Sequence, residues 1–140
     1  MALSVALALA FSGSYQEKDK DKDKADKPKL TVKVTPAMGG TAPARIVASA
    51  DLVGGDSEEA YCPAIEWDWG DDTKSTTSAD CDPYEAGKSE IKRHFIADHV
   101  YQMGGNFRLQ LRLKKKNKAF ASGSISVQIR PGIRDPGGLP

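Results

Sequence analysis

The run Glu66-Trp67-Asp68-Trp69-Gly70-Asp71-Asp72 constrains this chain more than any other stretch of it. Side chains of a strand alternate between its two faces, so Trp67 and Trp69 point to one side. Gly70 and the aspartates after it tolerate positive φ and accept backbone hydrogen bonds, which suits them to a turn. The run therefore reads as a core-facing strand that ends in a tight polar turn, inside an all-β domain.

The chain around it keeps a period of two. Leu30, Val32 and Val34 alternate with Lys29, Thr31 and Lys33, and Pro36 with Gly39-Gly40 ends that strand. Ile46, Ala48 and Ala50 give a second strand, whose small residues leave room for bulky partners. Ala64 to Trp69 is the third, and Thr73 to Ser78 adds a short edge strand. Ile91 to Ala97 follows, with a less regular pattern because Phe95 and Ile96 are adjacent. Phe107, Leu109, Leu111 and Leu113 face inward against Arg108, Gln110, Arg112 and Lys114, the cleanest alternation present. Lys115-Lys116-Asn117-Lys118 is a hairpin tip, and Ile125, Val127 and Ile129 form the last strand. About seven short strands separated by turns, with no helical period, predict a two-sheet β-sandwich over residues 29–130.

The ends differ in composition. Ala2 to Phe11 is apolar and too short to span a bilayer as a helix. Ser12-Gly13-Ser14 supplies small residues for cleavage, so residues 1–14 read as a signal peptide cut near Tyr15. No Lys or Arg precedes the apolar run, which leaves a retained segment as the other reading. Residues 15–28 alternate Lys and Asp; a helix would set like charges four apart, and a strand would have nothing to bury. That segment reads as a solvated, flexible linker, and residues 131–140 as a Pro/Gly-rich tail. Lys and Arg number 20 against 19 Asp and Glu, a net charge of +1, so no global field selects nucleic acid or an anionic membrane. No nucleic-acid motif and no transmembrane span is expected.

Trp67-Asp68-Trp69-Gly70-Asp71-Asp72, then His99-x-Tyr101, then Gly105-Asn106-Phe107-Arg108-Leu109-Gln110-Leu111, resemble in order and spacing the motifs of the polycystic-kidney-disease (PKD) repeat. Those repeats carry W-D-F-G-D-G, H-x-Y and G-x-Y-x-V-x-L. Here Trp69, Asp72, Phe107 and Leu109 depart from the pattern, and residues 73–89 form an expanded region. The resemblance implies an immunoglobulin-like sandwich in which Trp67, Asp68, Trp69, Gly70, Asp71, His99, Tyr101, Gly105 and Phe107 are structural, with Tyr101 placed like a tyrosine corner. It further implies extracellular protein–protein or protein–carbohydrate contact.

Cys62 and Cys81 are the two cysteines of the chain. In an exported protein an even pair reads as a disulfide, closing a loop of about 20 residues and contributing about 3 kcal/mol through chain entropy. Trp67 and Trp69 could stack on a sugar ring, but same-face strand aromatics are more often core. Asp68, Asp71 and Asp72 could gather calcium, the one cofactor entertained, although carboxylates in a turn more often accept backbone N–H bonds. Asp19, Asp21 and Asp23 lack the Gly and distal Glu of a calcium loop. His99 and His94 have no Ser or Cys nucleophile motif to serve, and the lysines of 114–118 read as a solvated tip.

The expectation is a non-enzymatic, extracytoplasmic module (secreted, cell-surface or periplasmic) for adhesion or for binding an extracellular protein or polysaccharide. One alternative is a structural subunit of an extracellular filament or surface layer, assembling with copies of itself through the apolar N-terminal segment. Another is a calcium-dependent binding domain.

Overall fold

Alternating side chains become two facing sheets in a computed structural model, which describes residues 27–132. The signal segment expected over 1–14, most of the linker over 15–28 and the tail beyond 132 lie outside the described residues. The order is β1 (Lys29–Thr35), β2 (Gly40–Thr41), β3 (Ala44–Val53), one 3-10 turn (Glu58–Ala60), β4 (Ala64–Asp68), β5 (Lys74–Thr77), β6 (His94–Tyr101), β7 (Gly105–Lys115) and β8 (Lys118–Arg130). One sheet runs β1-β3-β6 and is antiparallel throughout. The other runs β2-β8-β7-β4-β5, antiparallel except where β2 lies parallel to β8. This is the predicted immunoglobulin-like β-sandwich.

The two inner faces share one core. Leu30, Val32 and Val34 from β1, Ile46 to Leu52 at alternate positions of β3, and Phe95 and Tyr101 from β6 meet Trp67, Leu109, Leu111, Leu113, Val127 and Ile129 from the opposite sheet. Within the first sheet Ala50 lies between Val32 and Phe95, a small residue flanked by two larger ones. At Gly123 the sheets approach so closely that a Cβ would stand 2.8 Å from the Leu30 carbonyl oxygen and 3.0 Å from Leu30 Cβ. Glycine there lets β1 settle onto β8. Lys116 and Asn117 both take positive φ at the β7–β8 tip, as a two-residue hairpin turn requires.

Eight strands form, the seven expected and the two-residue β2. Two boundaries correct the sequence reading. The third strand ends at Asp68, because Trp69 already belongs to the turn. The strand expected at Ile91–Ala97 is instead His94–Tyr101. Inward alternation of Phe95, Ala97, His99 and Tyr101 carries it further on, while Ile91 to Arg93 is held as an irregular segment. There the Leu52 N–H donates to the Arg93 carbonyl at 2.8 Å, and the Arg93 guanidinium bonds the Gly54 carbonyl and Asp56.

Candidate functional site

Two constellations carry the chemistry-bearing side chains, one at each end of β4. The first is the Trp-Asp turn. Trp67 and Trp69 are buried and stack on each other with centroids 5.6 Å apart. Trp69 also stacks on His99 at 4.6 Å, His99 meets Tyr101 edge-on at 4.8 Å, and Tyr101 stacks on Phe107 at 4.5 Å. The rings thus run from β4 through β6 to β7 and bridge the two sheets.

The polar atoms of this cluster are engaged in holding the turn. Tyr101 is fully buried, and its hydroxyl donates to the Trp69 carbonyl at 2.7 Å. Burial, with the Asp71 and Asp68 charges adding to it, pushes that hydroxyl's pKa far above its usual value. The Trp69 indole N–H donates to Ser75 Oγ at 2.9 Å. Asp68 Oδ1 accepts the Gly70 N–H at 3.1 Å, and Asp71 Oδ1 accepts the Thr73 N–H at 3.2 Å together with the Thr73 hydroxyl. The other Asp71 oxygen lies 2.7 Å from His99 Nε2. Partial burial works against charge on Asp71, but the Thr73 and His99 hydrogen bonds and the His99 charge outweigh it and hold the carboxyl below its ordinary range. Gly70 has φ +81°, and a Cβ there would meet the Arg108 backbone at 2.5 Å.

This arrangement suits architecture better than reaction chemistry. In a nucleophile–base–acid relay the acid takes one imidazole nitrogen and the nucleophile the other. Here Asp71 and the Thr73 hydroxyl, 3.5 Å away, both face Nε2. Two of the three carboxylates proposed for calcium are likewise engaged. Asp68 and Asp71 accept the bonds above, and Asp68 also lies 3.8 Å from Arg112 and 4.0 Å from Lys74. Asp72 has φ +66°. Among the described residues no group of three or more His, Cys, Asp or Glu is placed to hold a metal ion. His94 stands apart on the first sheet's outer face, 2.9 Å from Asp51.

The second constellation lies at the start of β4. Cys62 and Cys81 are joined by a disulfide that ties the segment after β5 to the base of this strand. Tyr61 and Tyr84, one on each side of the bond, pack with centroids 5.4 Å apart, and the Tyr61 hydroxyl donates to the Asp82 carbonyl at 2.7 Å. Lys115 Nζ donates to the Tyr61 carbonyl and lies 5.7 Å from the centre of its ring. These residues, with Asp80 and Pro83, line an open cleft of ≈ 330 Å³.

Sequence reasoning missed that cleft and three further partners. Thr73 was findable, since a Thr two positions after an Asp is a common turn pattern. Ser75 was not, because nothing distinguishes it from its neighbours. Glu66 was missed as well: Arg112 and Lys114 bond its carboxylate at 2.9 and 2.7 Å. The Lys114 and Arg112 hydrogen bonds hold that carboxyl below its ordinary range. Only the β4–β7 register reveals this ladder.

Among the described residues no helix is long and apolar enough to cross a membrane. No protein-family model matches the chain, and no curated protein matches it. Among solved structures the chain is similar to the PKD domain of an M14-like peptidase from a Thermoplasmatales archaeon, at 12% identity and TM-score 0.51, covering 76% of this chain and 98% of that one. A CARDB domain from Pyrococcus furiosus aligns at 13% identity and TM-score 0.42, over 75% of this chain and 97% of that one. At such identities the likeness is one of fold: an all-β, immunoglobulin-like sandwich of the kind seen in that PKD domain.

Proposed function

We propose that this chain is a non-catalytic, extracytoplasmic PKD-like module for adhesion, which binds protein or polysaccharide through the disulfide-pinned cleft. The observation that carries the reading is the pairing of Tyr61 and Tyr84 beside Lys115 in an open cleft on a rigid sandwich. Tyrosines offer a large, stiff contact area with a polar tip, at little entropic cost. Asp80, Asp82 and Lys115 add polar groups at the rim, and the disulfide fixes the loop before any ligand arrives. His99 and Asp71 are engaged with each other in the Trp-Asp turn, which favours a structural role for them. A disulfide also suits an oxidising compartment, in keeping with the expected signal segment.

The test is binding of the labelled full chain to polysaccharides and to envelope fractions of its native cells. Saturable binding is expected, weakened at least about tenfold in Tyr84→Ala with the melting temperature unchanged. Absence of saturable binding, or a Tyr84→Ala variant that binds like the parent, overturns the cleft reading. Native protein recovered from the cytoplasm with reduced cysteines overturns the extracytoplasmic one.

A further inference from the structure

An edge strand presents N–H and C=O groups that its own sheet leaves unpaired, and proteins blunt such edges with lysine, proline or shortness. β1 carries Lys29 and Lys33 on its outer face, β5 is a short run of exposed polar residues, and β2 has two residues. The remaining edge, β6, has none of these protections. It is 8 residues long, contains no Pro or Lys, and leaves Ile96 65% and Val100 38% exposed.

Its backbone phase follows from one bond. The Leu52 N–H donates to the Arg93 carbonyl, and this pair continues the β3–β6 register past Asp51↔His94. Hydrogen-bonded and non-bonded pairs alternate along an antiparallel ladder. Phe95, Ala97, His99 and Tyr101 therefore turn their backbone groups toward β3, and His94, Ile96, Asp98 and Val100 turn theirs away. Among the described residues none pairs with these outward groups. The same four side chains stand on the exposed face, so open backbone and open apolar surface coincide.

We propose that β6 pairs antiparallel with β6 of a second copy of this chain, about a twofold axis through Ile96, joining two sheets into one. The side chains select this register. It sets Ile96 opposite Ile96, and His94 opposite Asp98 on both sides of the axis. A slip of two residues on the partner strand sets Ile96 against Asp98 or against His94. A slip of four toward the C-terminus sets Asp98 against Asp98, and like charges directly opposite destabilise a sheet. The contact is self-complementary and closes on itself, giving a dimer rather than a fibre.

Sedimentation of the purified full chain from about 1 μM to about 1 mM tests this, independently of where the protein resides. A concentration-dependent dimer is expected. Ile96→Lys weakens it at least about tenfold. Asp98→Pro does the same by removing an outward N–H while sparing the β3 ladder. Both variants keep the parent's far-UV circular dichroism. Asp98→Lys also weakens the dimer by removing the carboxylate that faces His94 of the second copy. A monomer across the whole range overturns the proposal, as does a dimer indifferent to Ile96→Lys and Asp98→Pro. A dimer abolished by deleting residues 2–14 but kept in the edge variants would identify the apolar segment as the contact and overturn it too.

Discussion

Asp71 shows how a surface-turn carboxylate can be turned to structural use. Its side chain is 19% exposed, and its two oxygens are divided between Thr73 and His99. Both contacts favour the charged form, so the folded-state carboxyl titrates below its ordinary value of 3.8. The stability this gives is complete above the unfolded-state value and is lost as pH falls through the folded-state one. Asp71→Asn should therefore cost about 1–2 kcal/mol at pH 7, with hydrogen bonding weakened and the His99 pairing lost. The gap between parent and variant should narrow below about pH 4, where the unfolded chain's carboxyl starts to protonate while the folded one still holds its charge. Urea titrations at pH 7 and pH 3 measure it; a gap of equal size at both would show that the charge of Asp71 contributes nothing.

At the scale of elements, closeness of the sheets is set where β1 crosses β8. Gly123 faces Leu30 and Val32 with room for a hydrogen and no more. Gly123→Ala should push β1 outward and cost about 1–3 kcal/mol, the usual range for overpacking a core. Hydrogen exchange would then quicken in Lys29–Thr35 before it does in β7; uniform protection in the variant would mean that β1 adapts without moving. Nothing in the sequence marks Gly123 as a crossing point, since glycine in a strand signals equally a bulge or a bend. What was legible is what depends on local alternation: β1, β3, β7 and β8, with Leu109, Leu111 and Leu113 inward. The β6 boundaries were misplaced because the adjacent Phe95 and Ile96 hide the inward period of Phe95, Ala97, His99 and Tyr101 that carries the strand on. Likewise Trp67 and Trp69 could be placed in the core from the period and Tyr101 from the resemblance to PKD repeats, whereas Tyr61 and Tyr84 could be brought together only by the bond between Cys62 and Cys81.

For the whole molecule, that bond divides stability from readiness to bind. The cysteines are separated by 19 residues in sequence, and cross-linking a loop of this length removes unfolded-state entropy equivalent to about 3 kcal/mol. A domain of this size is typically stable by about 5–15 kcal/mol, and most of it here comes from a core to which the disulfide does not belong. The sandwich should therefore stay folded when the bond is removed, with its unfolding midpoint lowered. The cleft should fare worse. Residues 78–93 form no strand, and Tyr84 is held against Tyr61 mainly because Cys81 is fixed nearby. In a Cys62→Ser/Cys81→Ser variant, circular dichroism should keep its β signature while ligand affinity at the cleft falls at least about tenfold, through the cost of ordering the loop on binding. Binding that survives at full strength in a folded, destabilised variant would move the ligand site elsewhere on the sandwich. Global unfolding would instead show that the ring chain from Trp67 to Phe107 cannot hold the two sheets together without the bond.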